Sequence, residues 1–224
     1  MKKKHGMCCI IIGTMLLIAA LSLVICNYRT SKIAEENSGR ILSLIKEKIP
    51  EQTELESMII TTSNDLFHEY ETQFTTETTT EEAVVEIENT AYIGYVSIPS
   101  LGIELPVMSE WSYDNLKISP CRYKGTAAGG DIIIAAHNYN SHFGRLNELS
   151  GGEEIVFTAA DGKIYNYEVI QTESISGKDV EAMEFGSSEN WDLTLFTCTL
   201  SGQSRVTIRA ILQDKRTFRK DGYS

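Results

Sequence analysis

The chain has 224 residues, of which 42% are hydrophobic and 23% charged, and its net charge is −11. This acidic balance, with no basic stripe, excludes the electrostatic footprint of a nucleic-acid binder, so no nucleic-acid partner is expected. Charge is divided unevenly: residues 1–26 carry +3, residues 27–90 carry −9 and residues 91–224 carry −5.

The first segment opens MKKKHGMCCIIIGTMLLIAALSLVIC. Lys2, Lys3 and Lys4 precede an uncharged apolar run of twenty residues, Met7 to Cys26. At about 1.5 Å per residue such a helix crosses a hydrocarbon core of ~30 Å, and the lysines favour a cytoplasmic N-terminus. A cleaved signal peptide is the competing reading, but the run exceeds the usual apolar region and no clean A-x-A site follows. A lipoprotein site at Cys26 is disfavoured by the bulky Val24 and Ile25 before it. Residues 1–26 are read as an uncleaved, single-pass anchor in the cell membrane, with everything after Cys26 outside. No second long apolar run appears and the tail DKRTFRKDGYS is polar, so one N-terminal tether is expected.

In the second segment, SKIAEENSGRILSLIKEKI (31–49) places Ile33, Ile41, Leu42, Leu44, Ile45 and Ile49 at partly helical spacing. It predicts a short amphipathic helix leaving the membrane, serving as stalk or docking element. The following HEYETQFTTETTTEEAVVEIENT is dense in Thr and Glu. Such a segment has too little to bury to offset its ordering entropy and reads as a flexible acidic spacer. The boundary is placed near Thr90, and removing residues 1–90 is expected to leave a folded, active domain.

From Ala91 the pattern changes to short β-type runs: Ile93–Ile98, Ile103–Val107, Asp131–Ala136, Glu154–Ala159, Lys163–Gln171, Asp192–Thr197 and Ser204–Leu212. Gly, Pro, Asn, Asp and Ser separate them. Residues 91–224 therefore predict an all-β domain, a small closed barrel or sandwich large enough to bury its own core. Asp161-Gly162 between two such runs signals a hairpin, and HFGRLNEL offers a short helix at most.

Five cysteines do not make a disulfide framework, since Cys8, Cys9 and Cys26 belong to the membrane segment. Cys121 and Cys198 remain. A bridge between them is possible outside the cell, but Cys121 reads better as a small buried apolar residue. Cys198 closes the run TLFTC at a strand end. An ordinary thiol, with pKa near 8.5, is mostly protonated at neutral pH, so chemistry there needs a neighbouring base or cation. Two histidines lie in this domain. His137 ends the apolar run GGDIIIAA, where a rigid strand can aim it into a cleft. His142, in NYNSHFG, reads as a surface loop residue and not as the catalytic one. Arg205 opens the strand RVTIRAI, seven residues past Cys198 across one tight turn. Alternation puts Arg205, Thr207 and Arg209 on one face and Val206, Ile208 and Ala210 on the core face. A guanidinium fork can hold a substrate carbonyl or an oxyanion. Arg209 is expected to matter far less.

Together, these residues resemble the sortases, the cysteine transpeptidases of Gram-positive cell surfaces. TLFTC, Thr194 to Cys198, matches the family's TLxTC signature, and the His137 stretch and the R-x-x-x-R strand from Arg205 match in the expected order. The similarity covers about residues 91–213. It implies a closed, mostly eight-stranded barrel with short helices and the site at one end, with one further strand around Glu173–Ser176. It also implies a reaction. Cys198 attacks the peptide bond of a surface protein's C-terminal sorting motif, giving a thioester that an amine from a cell-wall peptide crossbridge or a pilin resolves. His137 serves as acid and then base, Arg205 holds the substrate backbone and the oxyanion, and Thr197 helps position substrate. The Cys–Arg loop is short, and SEWSYDN is not a clear aromatic lid of the kind pilus-polymerising members carry, which favours wall anchoring. Glu104, Glu153 and Glu154 read as scattered surface acids, and neither metal nor cofactor is expected. Two other readings stay open: a wall- or peptide-binding β-domain with an inert Cys198, and a cysteine peptidase that transfers to water.

Overall fold

One helix, α1, runs from Lys2 to Lys48 in the computed structural model, which describes residues 2–49, 82–184, 191–199 and 201–213. Its apolar side chains between Ile11 and Ile25 stand exposed, and it is long and apolar enough to cross a membrane. The predicted amphipathic segment is not a separate helix but the continuation of the apolar one. There the exposure becomes one-sided. Ala34, Ser38, Ile41, Ile45 and Ile49 are buried at spacings of three and four, the repeat that aligns side chains along one helical face. The three isoleucines pack with Ile87, Tyr92, Met108 and Cys121 into a cluster between helix and barrel. Each such isoleucine stabilises the docking by about 1.5–3 kcal/mol.

The strands are β1 (Val85–Ile87), β2 (Thr90–Ile98), β3 (Ile103–Met108), β4 (Cys121–Lys124), β5 (Ile132–Ala135), β6 (Glu154–Ala159), β7 (Ile164–Ser176), β8 (Leu193–Cys198) and β9 (Ser204–Leu212). They pair in the order β1-β2-β3-β4-β5-β8-β9-β7-β6. A second pairing, β2 with β6, closes strands β2 to β9 into an eight-stranded barrel, with β1 added at the edge of β2. Gly94 makes the closure possible. The β2–β3 register slips between Tyr92 and Gly94, the glycine takes φ 141°, and a Cβ there would lie 2.0 Å from the Thr158 carbonyl oxygen. Only a residue without a side chain lets β2 approach β6 so closely. Inward residues of alternating phase, among them Val96, Leu105, Ile134, Phe157, Leu195 and Ile208, fill the interior.

All seven predicted strands are present, and Gly162 turns the β6–β7 hairpin at φ 85°. The strand expected around Glu173–Ser176 is instead the far end of β7, thirteen residues long and paired with β9 to its last residue. The strands that sequence reading misses are β4, whose four residues Cys-Arg-Tyr-Lys carry no alternation, and β1, inside the acidic tract. HFGRLNEL forms a single 3-10 turn, Leu146–Glu148. Among the described residues there are also two short α-helices, α2 (Tyr113–Leu116) and α3 (Val180–Glu184). The expected boundary at Thr90 is displaced. β1 precedes it, Glu82 is already paired with Arg122, and the C-terminal half of α1 covers part of the barrel. Most of the Thr/Glu spacer and the polar tail lie outside the described residues. Cys121 is buried and unbridged, and burial pushes its thiol up to about 12.

Candidate active site

Three neighbouring strands carry the three predicted residues to one rim of the barrel. β5 and β8 run parallel with Ala135 opposite Phe196. Beyond that pair the strands stay tied. The Ala136 N–H donates to the Phe196 carbonyl at 3.1 Å, and Thr197 Oγ1 donates to the Ala136 carbonyl at 2.9 Å. His137 and Cys198, each two residues past the registered pair, therefore leave adjacent strands side by side, with the strand axes about 4.8 Å apart. Across the antiparallel β8–β9 ladder, Cys198 pairs with Arg205, which sets their Cα atoms ~5 Å apart on the same face. That face points outward, while Leu195, Thr197 and Ile208 belong to the other. Cys198 is exposed, and His137 and Arg205 are half-buried.

Each residue has its own support. His137 Nδ1 is held by Asn138, 3.1 Å from its backbone nitrogen and 3.3 Å from its Oδ1, which leaves Nε2 clear of those contacts. Its ring stacks on Tyr139 at 4.2 Å between centroids, with 4° between planes. The loop beyond is knotted by backbone bonds: the Phe143 N–H donates to His137 O, and the His142 and Gly144 N–H groups both donate to Tyr139 O. Arg205 rests against Gly177, where an added Cβ would stand 2.6 Å from its Nη1. The β8–β9 turn is closed by Thr199 N–H to Ser204 O at 2.9 Å, and Gly177 N–H donates to Gln203 O at 2.7 Å. Among the described residues Arg205 makes no ion pair, so its fork remains available to a ligand.

Beside Arg205 opens a groove of about 170 Å³ floored by Phe196 and Met183 and walled by Trp111, Tyr113 and Tyr123. The aromatic rings form a ladder, with centroids 5.1 Å apart for Trp111–Tyr113, 5.7 Å for Trp111–Tyr123 and 5.5 Å for Tyr123–Phe196. Spacings of this kind are those of edge-to-face and tilted contacts. The Tyr123 hydroxyl donates to Glu184 at 3.0 Å; burial first, and then this carboxylate, raise its pKa.

Several sequence expectations change here. Thr197, expected to help position substrate, is 3% exposed and spends its hydroxyl on aligning β8 with β5. His142 is not a surface residue but is fully buried, because the loop folds under α1. Arg209, expected to be of small consequence, is 1% exposed. It donates to Glu173, Thr194 and the carbonyls of Ala182 and Met183 and lies 4.6 Å from the Trp191 ring, clamping α3 onto the outer sheet face. Sequence reading did not find Tyr139, Gly177 or the groove. Its signal for the groove was the aromatic pair in SEWSYDN, which α2 places there through its Ser112 cap. Among the described residues, no three His, Cys, Asp or Glu side chains converge as a metal site. Glu104 pairs with Lys46 at 2.6 Å, and Glu153 accepts the Ser150 N–H at 2.5 Å.

A family model described as the sortase domain matches residues 96–213, more than half of the chain. No curated protein sequence matches it. Among solved structures, the chain is similar to a sortase D5 transpeptidase from Clostridium perfringens, at 21% identity over 79% of this chain and 98% of that one, with a TM-score of 0.55. A sortase C from Streptococcus pneumoniae matches at 21% identity over 76% and 95%, with a TM-score of 0.53. A sortase A from Corynebacterium diphtheriae matches at 23% identity over 55% and 61%, with a TM-score of 0.50. At these identities the structural likeness shows the barrel itself. The family match runs from within β2 to just past β9 and takes in all three rim residues; the chain belongs to the sortase family.

Proposed function

We propose that the chain is a membrane-tethered cysteine transpeptidase, acting outside the cell on the C-terminal sorting motif of surface proteins. The observation that carries this reading is the meeting of Cys198, His137 and Arg205 at three adjacent strand ends beside one aromatic groove. An extended peptide lying along the groove brings its scissile carbonyl to Cys198. The Cys198 thiol gives its proton to His137, the thiolate sulfur adds to the carbonyl carbon, and the oxygen takes the negative charge facing the Arg205 fork. Collapse expels the amine, which takes its proton from His137, and leaves a thioester on Cys198. An incoming amine then gives its proton to the now neutral His137 and adds to the thioester. The second tetrahedral species releases the thiolate and a new amide. Thr197 serves by alignment, holding the His137 and Cys198 strands level. The acceptor is a cell-wall crossbridge or a pilin amine.

The test is full-length protein in detergent micelles with a library of sorting-type pentapeptides, with and without triglycine or lysine as acceptor. Mass spectrometry should find an acyl adduct on Cys198 and an amide product that requires the amine. Release of free acid alone, even with amine present, makes the enzyme a peptidase. No adduct, together with no labelling of Cys198 by iodoacetamide, leaves a binding domain with an inert thiol.

A further inference from the structure

A buried thread of contacts leads from the anchor helix to the ring of His137. Of the α1 residues buried toward the barrel, Ala34, Ser38, Ile41 and Ile45, Ser38 is the polar one. Its Oγ donates to the Ile118 carbonyl at 3.0 Å, so the same oxygen accepts from His142 Nε2 at 3.3 Å. That assigns neutral His142 a bare lone pair on Nδ1, and this atom is buried without a partner among the described residues. A fully buried imidazole with one nitrogen unsatisfied costs stability that an apolar side chain of similar size does not. Packing alone therefore does not account for a histidine here. Its ring lies 5.5 Å from that of Tyr139, and Tyr139 stacks on His137. The backbone around them has little freedom. A Cβ at Gly144 would meet the carbonyl oxygens of Asn138 and Tyr139 at 2.6 and 2.7 Å. Ser141 Oγ adds a second tie to α1, reaching the Ser31 carbonyl at 3.4 Å.

We infer that α1 is a positioning element of the active site as well as an anchor. Ser38 holds His142, and His142 with Tyr139 sets the plane of the His137 imidazole. This rests on the reading of His137 as the acid–base group, but its signature is independent of turnover. A proton on a ring stacked against tyrosine feels the aromatic ring current and resonates upfield.

The experiment is NMR of the full chain in detergent micelles with 13Cε1-labelled histidine. The protein has four histidines, and loss of one signal in His137→Ala assigns that ring. Wild type should show the His137 Cε1–H upfield of free imidazole. Ser38→Ala and His142→Leu should both move it back toward the free position, while His142→Gln, whose amide nitrogen reaches the same Oγ, should keep it upfield. His142→Leu should melt no lower than wild type yet form the acyl adduct about tenfold more slowly, the scale of a small misplacement of a catalytic group. An unshifted wild-type signal overturns the inference, and so does a His137 signal that stays fixed in both Ser38→Ala and His142→Leu. Ring signals that respond as expected in a protein that never acylates would sink the transpeptidase reading and leave the positioning role standing.

Discussion

On the outer face of β9, Arg205 lies in an open groove against Gly177, whereas Arg209 is enclosed and has every arm of its guanidinium engaged. Lysine keeps the charge at either position but replaces a planar fork with a point donor. On the transpeptidase reading, this removes one oxyanion contact at Arg205, which typically contributes about 10²–10³ in rate. Arg205→Lys should fold normally and acylate at least about 100-fold more slowly, read by stopped-flow mass detection of the adduct. A loss of only a few-fold would mean that the arginine supplies a positive field and nothing more specific. At Arg209 the same substitution strands Thr194 and the α3 carbonyls. It should cost about 1–3 kcal/mol in chemical unfolding, so it is no neutral control. His142 gives a pH prediction. Burial, and then the charge of His137, depress its pKa from 6.5 to about 4. The unfolded chain binds this proton near pH 6.5 and the folded chain only near 4, so stability is full above about 6.5. It should fall by roughly 3 kcal/mol as the pH drops to about 4. His142→Leu should flatten that acid limb in urea titrations; an unchanged limb assigns it to other groups.

Among the elements, the second half of α1 behaves as part of the barrel's wall. Ile45 is fully buried against Tyr92, Met108 and Cys121. Ile45→Ala should cost about 2–5 kcal/mol, through lost transfer energy and a residual cavity. Its exposed ion pairs, Arg40 with Glu88 and Lys46 with Glu104, contribute little by comparison. A chain starting at residue 91 lacks this cover and β1, leaving the apolar faces of Tyr92 and Met108 open. Differential scanning calorimetry should show it melting well below a chain that starts at residue 27. Equal melting temperatures would mean that the docked helix adds nothing. Gly177 acts between elements in the same way: at the end of β7 it leaves the space that Arg205 fills, so Gly177→Ala should slow acylation by displacing the guanidinium without unfolding the barrel.

For the molecule entire, the continuity of α1 means that a membrane holding its apolar half would also fix the height of the barrel rim. Ser31, bonded to the His137 loop, lies five residues past Cys26, about 8 Å along a helix. The rim should then face the membrane surface at short range. A fluorophore attached at the thiol of an Asn140→Cys variant, in vesicles, should be quenched by spin labels in the lipid headgroup region. A probe on the far side, introduced through Lys163→Cys, should not. Equal quenching at the two sites would show that the helix does not hold the barrel in this orientation. The full chain should also fractionate with membranes and lose its barrel to protease added from outside.

The long apolar helix, seven of the strands, the outward face of β9 and the placing of His137, Cys198 and Arg205 at strand ends are all legible in the chain read as a string. Each of these is written locally, in an unbroken apolar run, in two-residue alternation or in a short motif at a strand end. What those features meet is settled by the folded molecule. β1 and β4 are too short and polar to show a period, and they become strands because the barrel offers them partners. Gly94 and Gly177 look like any other glycines until β6 and Arg205 come against them. His142 reads as a surface residue, and Tyr139 and Arg209 carry no local mark of burial, because polarity along the chain says nothing about what folds over it. α1 lies about a hundred residues away in sequence from the loop it covers, and no local pattern records that contact.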